Sequence, residues 1–212
     1  MSASQSAITA AEPMTVVFFG IQGSGKGTQT GLLGKLLQER DPARPALVLG
    51  MGNMMRAYLA EHDTELTRRI RPVMEQGELL PSFVPSFVLN HYLADQLTAS
   101  HHLLLEGVGR RPFQAELLDE TLVFYGRGNF QMVLLELSIE TARQRLEKRG
   151  RADDTDNKSL ERRFELFKEQ LLPSMELLAE KGHPLHRIDG EAHVDEVHAG
   201  VLKALGLDRA AQ

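Results

Sequence analysis

The chain has 212 residues, 42% of them hydrophobic and 25% charged, with no cysteine and a formal net charge of −5. That profile describes one soluble globular domain with an ample core and room for a small insertion. It excludes disulfides, a cysteine nucleophile and thiolate zinc sites, and it argues against nonspecific binding to nucleic acid or an anionic membrane. In chain order, residues 1–13 are rich in Ser, Ala and Gln, with one acid and no base. They lack the basic start and apolar run of a secretory signal and the arginines of a transit peptide, so they read as a disordered tail. No apolar run approaches membrane length, and the cytoplasm is the expected compartment.

Met14–Phe19 is a short apolar segment rich in β-branched and aromatic residues. Gly20-Ile-Gln-Gly-Ser-Gly-Lys-Gly-Thr28 follows directly, and then Leu32, Leu33, Leu36 and Leu37 recur at helical spacing. The stretch reads as strand, glycine loop and helix to about Arg40. Gly20, Gly25 and Gly27 free the backbone to turn tightly, so that successive N–H groups can point at a phosphate on the positive end of a helix. Lys26 adds a mobile cation for the outer phosphates, and Thr28 a hydroxyl for phosphate or magnesium. The bland alternative, an ordinary strand-to-helix turn, leaves a lysine set between glycines without a packing use.

Asp41–Pro45 breaks the first helix. Ala46–Leu49 is wholly apolar and reads as a strand buried on both faces. Residues 53–80 hold two short helical patterns, Met54–Ala60 and Glu65–Glu75, ended by Gly77. They read as an excursion over one edge of the sheet rather than a core layer. Ser82 is placed to cap the next helix, which runs to about Leu97 with Pro85 in its first turn. Leu103–Glu106 is a third strand ending in an acid, Pro112–Leu122 a helix, Gln131–Leu137 a fourth strand and Ile139–Arg149 a helix. A polar loop over 150–158 leads to a long amphipathic helix over Ser159–Lys181, a fifth strand at Leu185–Ile188 and a last helix at Val194–Leu205. Strand and helix alternate, which predicts an α/β fold with a parallel sheet and right-handed crossovers. Ligands on such sheets sit beyond the carboxyl ends of the strands.

Glu106, at a strand end, either holds magnesium through water or is a solvated terminus. Arg145 and Arg149, four residues apart, share a helix face. Arg110 and Arg151 join them near strand carboxyl ends or the loops that leave them, and Arg163 follows on the flank of an apolar stripe of Leu160, Phe164, Phe167 and Leu171. Each arginine alone could be a solvated charge; together with Lys26 they suit several phosphates brought together. The eight histidines form no metal pattern, and His183 and His186 read as surface residues. Met51, Met54 and Met55 read as pocket and packing residues.

Over about residues 14–206 the sequence resembles the adenylate kinases of the nucleoside monophosphate kinase family, of the short-lid, zinc-free type. The resemblance rests on Gly20–Gln29 (GIQGSGKGTQ), Gly52–Arg56 (GNMMR), Gly77–Leu80 (GELL), Glu106–Gln114 (EGVGRRPFQ), Arg145–Arg149 (RLEKR), Arg151–Asp154 (RADD), Arg163 and Asp189-Gly190. It implies a P-loop NTPase-like sheet of five parallel strands flanked by helices. One helical cover (50–80) would lie over the acceptor, and a short lid loop (149–154) over ATP. It implies Mg-ATP and a nucleoside monophosphate as ligands, no zinc, no nucleic acid or membrane partner, and a monomeric state. By position, Gly23, Ser24, Gly25, Lys26, Gly27 and Thr28 would cradle the ATP phosphates, with Arg145 against the adenine. Arg56 and Arg110 would grip the acceptor phosphate. Met51, Glu78, Leu79, Leu80, Gly107 and Gln114 would line the acceptor pocket. Arg149, Arg151 and Arg163 would surround the transferred group, Arg151 and Arg163 also reaching the acceptor. Glu106 would hold magnesium through water.

Where the family has Thr-Gly-Asp this chain has Met51-Gly52-Asn53. Where it has Asp-Gly-Phe-Pro-Arg, this chain has Glu106-Gly107-Val108-Gly109-Arg110, and its customary loop proline is Gln22. These departures weaken the case for AMP specifically, while Gln114 points back toward adenine. The expected activity is transfer of the γ-phosphoryl of Mg-ATP to a monophosphate, foremost AMP. The alternatives are UMP, CMP or dTMP as acceptor, or an ATP-binding module with decayed catalysis. A GTPase is disfavoured, because Asn157-Lys158-Ser159-Leu160 lacks the acid of a guanine-reading motif.

Overall fold

Every residue of Thr15–Phe19 (β1) is buried, and its side chains alternate between two apolar clusters. Val17 and Phe19 face one side of the sheet, Val16 and Phe18 the other, as the two-residue period of a strand requires. Such a run belongs at the centre of a parallel sheet. In the computed structural model, which describes residues 12–150 and 157–208, β1 occupies that place. Around it are Ala46–Gly50 (β2), His102–Glu106 (β3), Gln131–Glu136 (β4) and Leu185–Asp189 (β5). All pairings are parallel, in the order β2-β3-β1-β4-β5. The expected five-stranded parallel sheet is therefore the fold. From β1 the chain runs outward to β2, returns to β3, then crosses to β4 and β5. The loop after β1 opens where that direction reverses, which is where such sheets bind ligands.

Helices cover both faces. Lys26–Arg40 (α1) and Val194–Ala204 (α9) pack Leu33, Leu37, Val197 and Val201 against Val16, Phe18, Leu104, Val133 and Leu135. On the other face, Met51–Glu61 (α2), Phe83–Gln96 (α4) and Pro112–Phe124 (α5) join the larger cluster with Val17, Phe19, Leu103 and Leu105. Glu65–Glu75 (α3) adds Ile70 to it. A third, smaller cluster binds Ile21 of the glycine loop to Ala142 and Leu146 of Ile139–Arg149 (α6) and to Leu160 and Phe164 of Asn157–Leu166 (α7). Emptying a site such as Leu105, which is wholly buried, by a Leu→Ala change costs about 2–5 kcal/mol.

Several local expectations need correction. β2 is an edge strand and Val48 is 42% exposed, so its apolar run did not mean burial on both faces. The 53–80 excursion is more than a cover: Met54, Met55, Tyr58, Leu59 and Ile70 are buried in the main core. Ser82 stands at the start of α4, yet its hydroxyl makes no capping hydrogen bond. The long helix predicted over 159–181 is interrupted. A π-helical turn, Phe167–Leu171, separates α7 from Leu172–Glu180 (α8), with the Leu172 N–H bonded to the Phe167 carbonyl five residues back. Pro173, lacking an N–H, follows at once, and the wider turn absorbs the ladder bond it cannot make. His183 is buried, not a surface residue: its Nε2 meets Asp119 Oδ1 at 2.8 Å, and its ring stacks on Phe130. His186 is part-buried, its Nε2 2.9 Å from Gln131 Oε1.

The predicted tail falls on residues outside those described except at its end. There Arg127, itself buried, donates to the carbonyls of Pro13, Thr98 and Ala99, and the Met14 N–H donates to Nδ1 of buried His102. No helix of the described residues is long and apolar enough to cross a membrane.

Candidate active site

At the carboxyl ends of the strands lies one cleft of about 890 Å³. Its floor is the glycine loop. Gly25 has φ 90 and precedes α1, which has no side-chain cap and no acid in its first turn. The unpaired N–H groups of such a helix start are available to an anion. Gly23, at φ 87, allows a close approach: a Cβ there would come within 2.9 Å of the Ala142 carbonyl oxygen on α6. The loop and α6 therefore meet backbone to backbone.

Lys26 Nζ donates to the carbonyls of Gly20 and Ile21, both at 2.8 Å. Burial lowers its pKa to about 8, against the pull of Glu106 and with the push of Arg110 and Arg149. Glu106 ends β3 in a niche that only glycines leave open. A Cβ on Gly50 would fall 2.6 Å from its Oε1, and one on Gly27 3.4 Å. The carboxylate thus lies between the end of β2 and the first turn of α1.

The remaining cations come from separate elements. Arg110 Nε donates to the Gly107 carbonyl at 2.9 Å. Although Arg110 keeps an exposed edge, the cleft walls lower its pKa, opposed by Glu106 and aided by Arg163. Arg56 Nη2 donates to Asn53 Oδ1 at 2.6 Å. α6 starts at Ser138, which accepts from the Thr141 N–H, and ends at Gly150 in the left-handed region, with Arg149 in its last turn where a cation suits the helix dipole. Arg145, one turn earlier, donates to the Glu191 carbonyl at 3.2 Å. Arg163, on α7, donates to Gln22 Oε1 at 2.9 Å.

The structure thus brings the loop residues 23–28, Arg56, Glu78, Leu79, Glu106, Gly107, Arg110, Arg145, Arg149 and Arg163 to one cleft. Met51, Leu80 and Gln114 do not line it. Met51 and Gln114 instead border a crevice of about 10 Å³ between α2, α4 and α5, where Gln114 Oε1 accepts the Arg110 N–H at 3.0 Å. Gln114 in this arrangement fixes the backbone that carries Arg110. Arg151, with Asp153 and Asp154, lies outside the described residues.

Two contributors were not singled out from sequence, and a third, Gln22, was noted only as standing in place of the family's loop proline. Arg111 donates to the Leu79 carbonyl at 3.2 Å and so ties the start of α5 to the 78–80 segment. Arg162 pairs with Glu78 at 2.8 Å, and Gln22 holds Arg163. Arg111 and Arg162 each stand beside a selected arginine, the one signal that could have found them.

Among the described residues no group of three or more His, Asp or Glu side chains could hold a metal. A lone carboxylate beside the α1 turn fits a magnesium ion that arrives with a polyphosphate and keeps most of its waters, rather than a dedicated cage.

A parallel sheet with this strand order, a glycine loop at its reversal point and cations converging from several elements define a P-loop phosphate-transferring class of protein. Comparison with known proteins narrows the class. The adenylate kinase family profile matches residues 18–183. A protein named adenylate kinase from Thermus thermophilus is 32% identical over 91% of this chain and 97% of its own length. Those of the same name from Maricaulis maris (32%) and Stenotrophomonas maltophilia (31%) each cover 91% of this chain and at least 98% of their own. The chain belongs to the adenylate kinase family, and is a phosphotransferase of the kinase type.

Proposed function

We propose that this chain moves the γ-phosphoryl of Mg-ATP to AMP, giving two ADP. The observation that carries the reading is the convergence of Lys26, Arg56, Arg110, Arg145, Arg149 and Arg163 on one cleft in a chain whose net charge is −5. An acidic protein concentrates its cations in this way where it must hold polyphosphate.

In this reading the 23–28 loop and the start of α1 hold the ATP phosphates, and Arg145 with the 191–194 segment flanks the adenine. Arg56 and Arg110 take the acceptor phosphate. Arg149 and Arg163, with Arg151 from the lid, surround the group in flight. An acceptor phosphate is already an anion near neutral pH, so no general base is needed. The work is alignment of donor and acceptor and neutralisation of the charge between them. Glu106, through water, and Thr28 are the residues that would hold magnesium, which supplies further neutralisation of the phosphate oxygens. Residues 50–80 and 149–154 act as covers that exclude water from the transfer.

The crevice at Gln114 has room for about one water. An acceptor base that reaches Gln114 must therefore widen it. A cytoplasmic, monomeric enzyme completes the reading, in which one chain supplies these residues of the cleft.

The test is a coupled assay of purified protein, with ATP against AMP, UMP, CMP and dTMP in turn. ADP formed fastest with AMP is the expected result. Preference for a pyrimidine monophosphate moves the acceptor assignment. Tight ATP binding with no turnover on any of the four overturns the activity.

A further inference from the structure

We propose that Gln22 is a positioning residue of this site: its side-chain carbonyl holds the Arg163 guanidinium over the phosphate loop before any nucleotide arrives. The inference rests on the phosphotransferase reading above and adds a residue to it. Its basis is a pair of neighbouring contacts. Ile21 is buried against Leu160 and Phe164 of α7. The next loop residue, Gln22, accepts from Nη1 of Arg163, the helix residue beside Phe164, at 2.9 Å. One apolar contact and one hydrogen bond, in register, join the tip of the phosphate loop to α7.

The electrostatics give the contact a purpose. Arg163 acts on Arg110, and Arg110 and Arg149 act on Lys26, each lowering its neighbour's hold on a proton. Glu106 offsets part of this, and the cations still push against one another. A long guanidinium side chain under that push has many rotamers in which it swings out to water, and immobilising it on each binding event costs free energy. A hydrogen bond from the loop keeps Arg163 where the phosphates will be, so the ordering is done in advance. The acceptor being an amide matters. A carboxylate at position 22 would hold the guanidinium more strongly, but it would cancel positive charge that the polyphosphate needs. A neutral oxygen anchors Arg163 and leaves the field of the cleft intact.

The experiment is a double-mutant cycle on the full chain with Gln22→Met, which keeps the length of the side chain without a carbonyl, and Arg163→Ala. Gln22→Ala serves as the second variant if the methionine perturbs folding. Gln22→Met is expected to lower kcat about tenfold, the scale of a lost alignment, with KM for ATP within about twofold and an unchanged unfolding midpoint. In the Arg163→Ala background the same change should cost less than about twofold, because its route through Arg163 is already gone. Gln22→Glu should instead raise KM for ATP. The Nη–H signals of Arg163 in ¹⁵N NMR of the ligand-free protein should be slowed and resolved in the wild type and averaged in Gln22→Met. Losses that multiply independently in the double mutant, or an Arg163 signal indifferent to residue 22, overturn the role of Gln22 while an active wild type leaves the transferase reading standing. A wild type that makes no ADP with any monophosphate overturns both.

Discussion

Lys26 carries a consequence that reaches the pH profile. Its pKa in the ligand-free cleft is lowered to about 8, first by burial and then by Arg110 and Arg149, with Glu106 in opposition. The protonated amine is the form that attracts phosphate, and it is lost as pH rises through that value. We expect kcat/KM for ATP to fall above about pH 8, since that ratio reports the free enzyme. The kcat profile should stay flat further into alkali, because bound phosphates favour the charged amine and raise its pKa again. Initial rates from pH 6.5 to 9.5 at several ATP concentrations check this, and Lys26→Ala should abolish the limb while lowering turnover about a hundredfold. At the same scale, the sequence was readable wherever a residue's chemistry is stated by its type and neighbours. Lys26, Arg56, Arg110, Arg145, Arg149 and Arg163 were each selected and each line the cleft. Gln114 was selected for a base, yet it accepts from the Arg110 backbone across the turn between them. A glutamine amide is equally suited to either partner, so its type could not choose.

Among the elements, the turn between α8 and β5 depends on Asp119 of α5. That carboxylate accepts from Lys181 Nζ at 2.6 Å and meets His183 Nε2 at 2.8 Å. Burial alone would raise the Asp119 pKa; the hydrogen bonds from Lys181 and His183 outweigh it and lower the value below 3.8. A carboxyl depressed on folding adds stability above its unfolded pKa and loses it as pH falls through the folded value. Asp119→Asn should destabilise the fold by about 1–3 kcal/mol at neutral pH, read from denaturant midpoints, because two partners lose a charged acceptor. The same variant should lose less than the wild type on acidification below pH 4. Elements were legible to within a residue or two where their period was clean, as in α1 and α6. The failures have common causes. β2 was misread because an all-apolar run does not say whether a neighbouring strand exists on both sides. The π-helical turn was missed because the stripe of Leu160, Phe164, Phe167 and Leu171 continues through it, and only Pro173 hints that the ladder must change there. The pairing of Asp119 with His183, 64 residues apart, is a tertiary fact with no local trace.

For the whole molecule, α7 connects parts that the sequence keeps far apart. Through Arg163 it reaches the glycine loop, and through Arg162 it reaches Glu78 just after α3. Both partners of the Arg162–Glu78 pair remain over a third exposed, so the bridge is weak and screened by salt. Arg162→Ala should therefore leave kcat nearly unchanged and raise KM for AMP by no more than about two- to fivefold, an effect that fades at high ionic strength. Initial rates over a range of AMP at low and high salt read it directly. At the opposite end of the sheet, Arg127 gathers the carbonyls of Pro13, Thr98 and Ala99. The start of β1 is thereby clamped to the rim farthest from the nucleotide cleft. An affinity handle or fluorescent reporter fused ahead of residue 12 is launched from that far rim, so immobilised or labelled protein should keep its substrate entrance facing open solution.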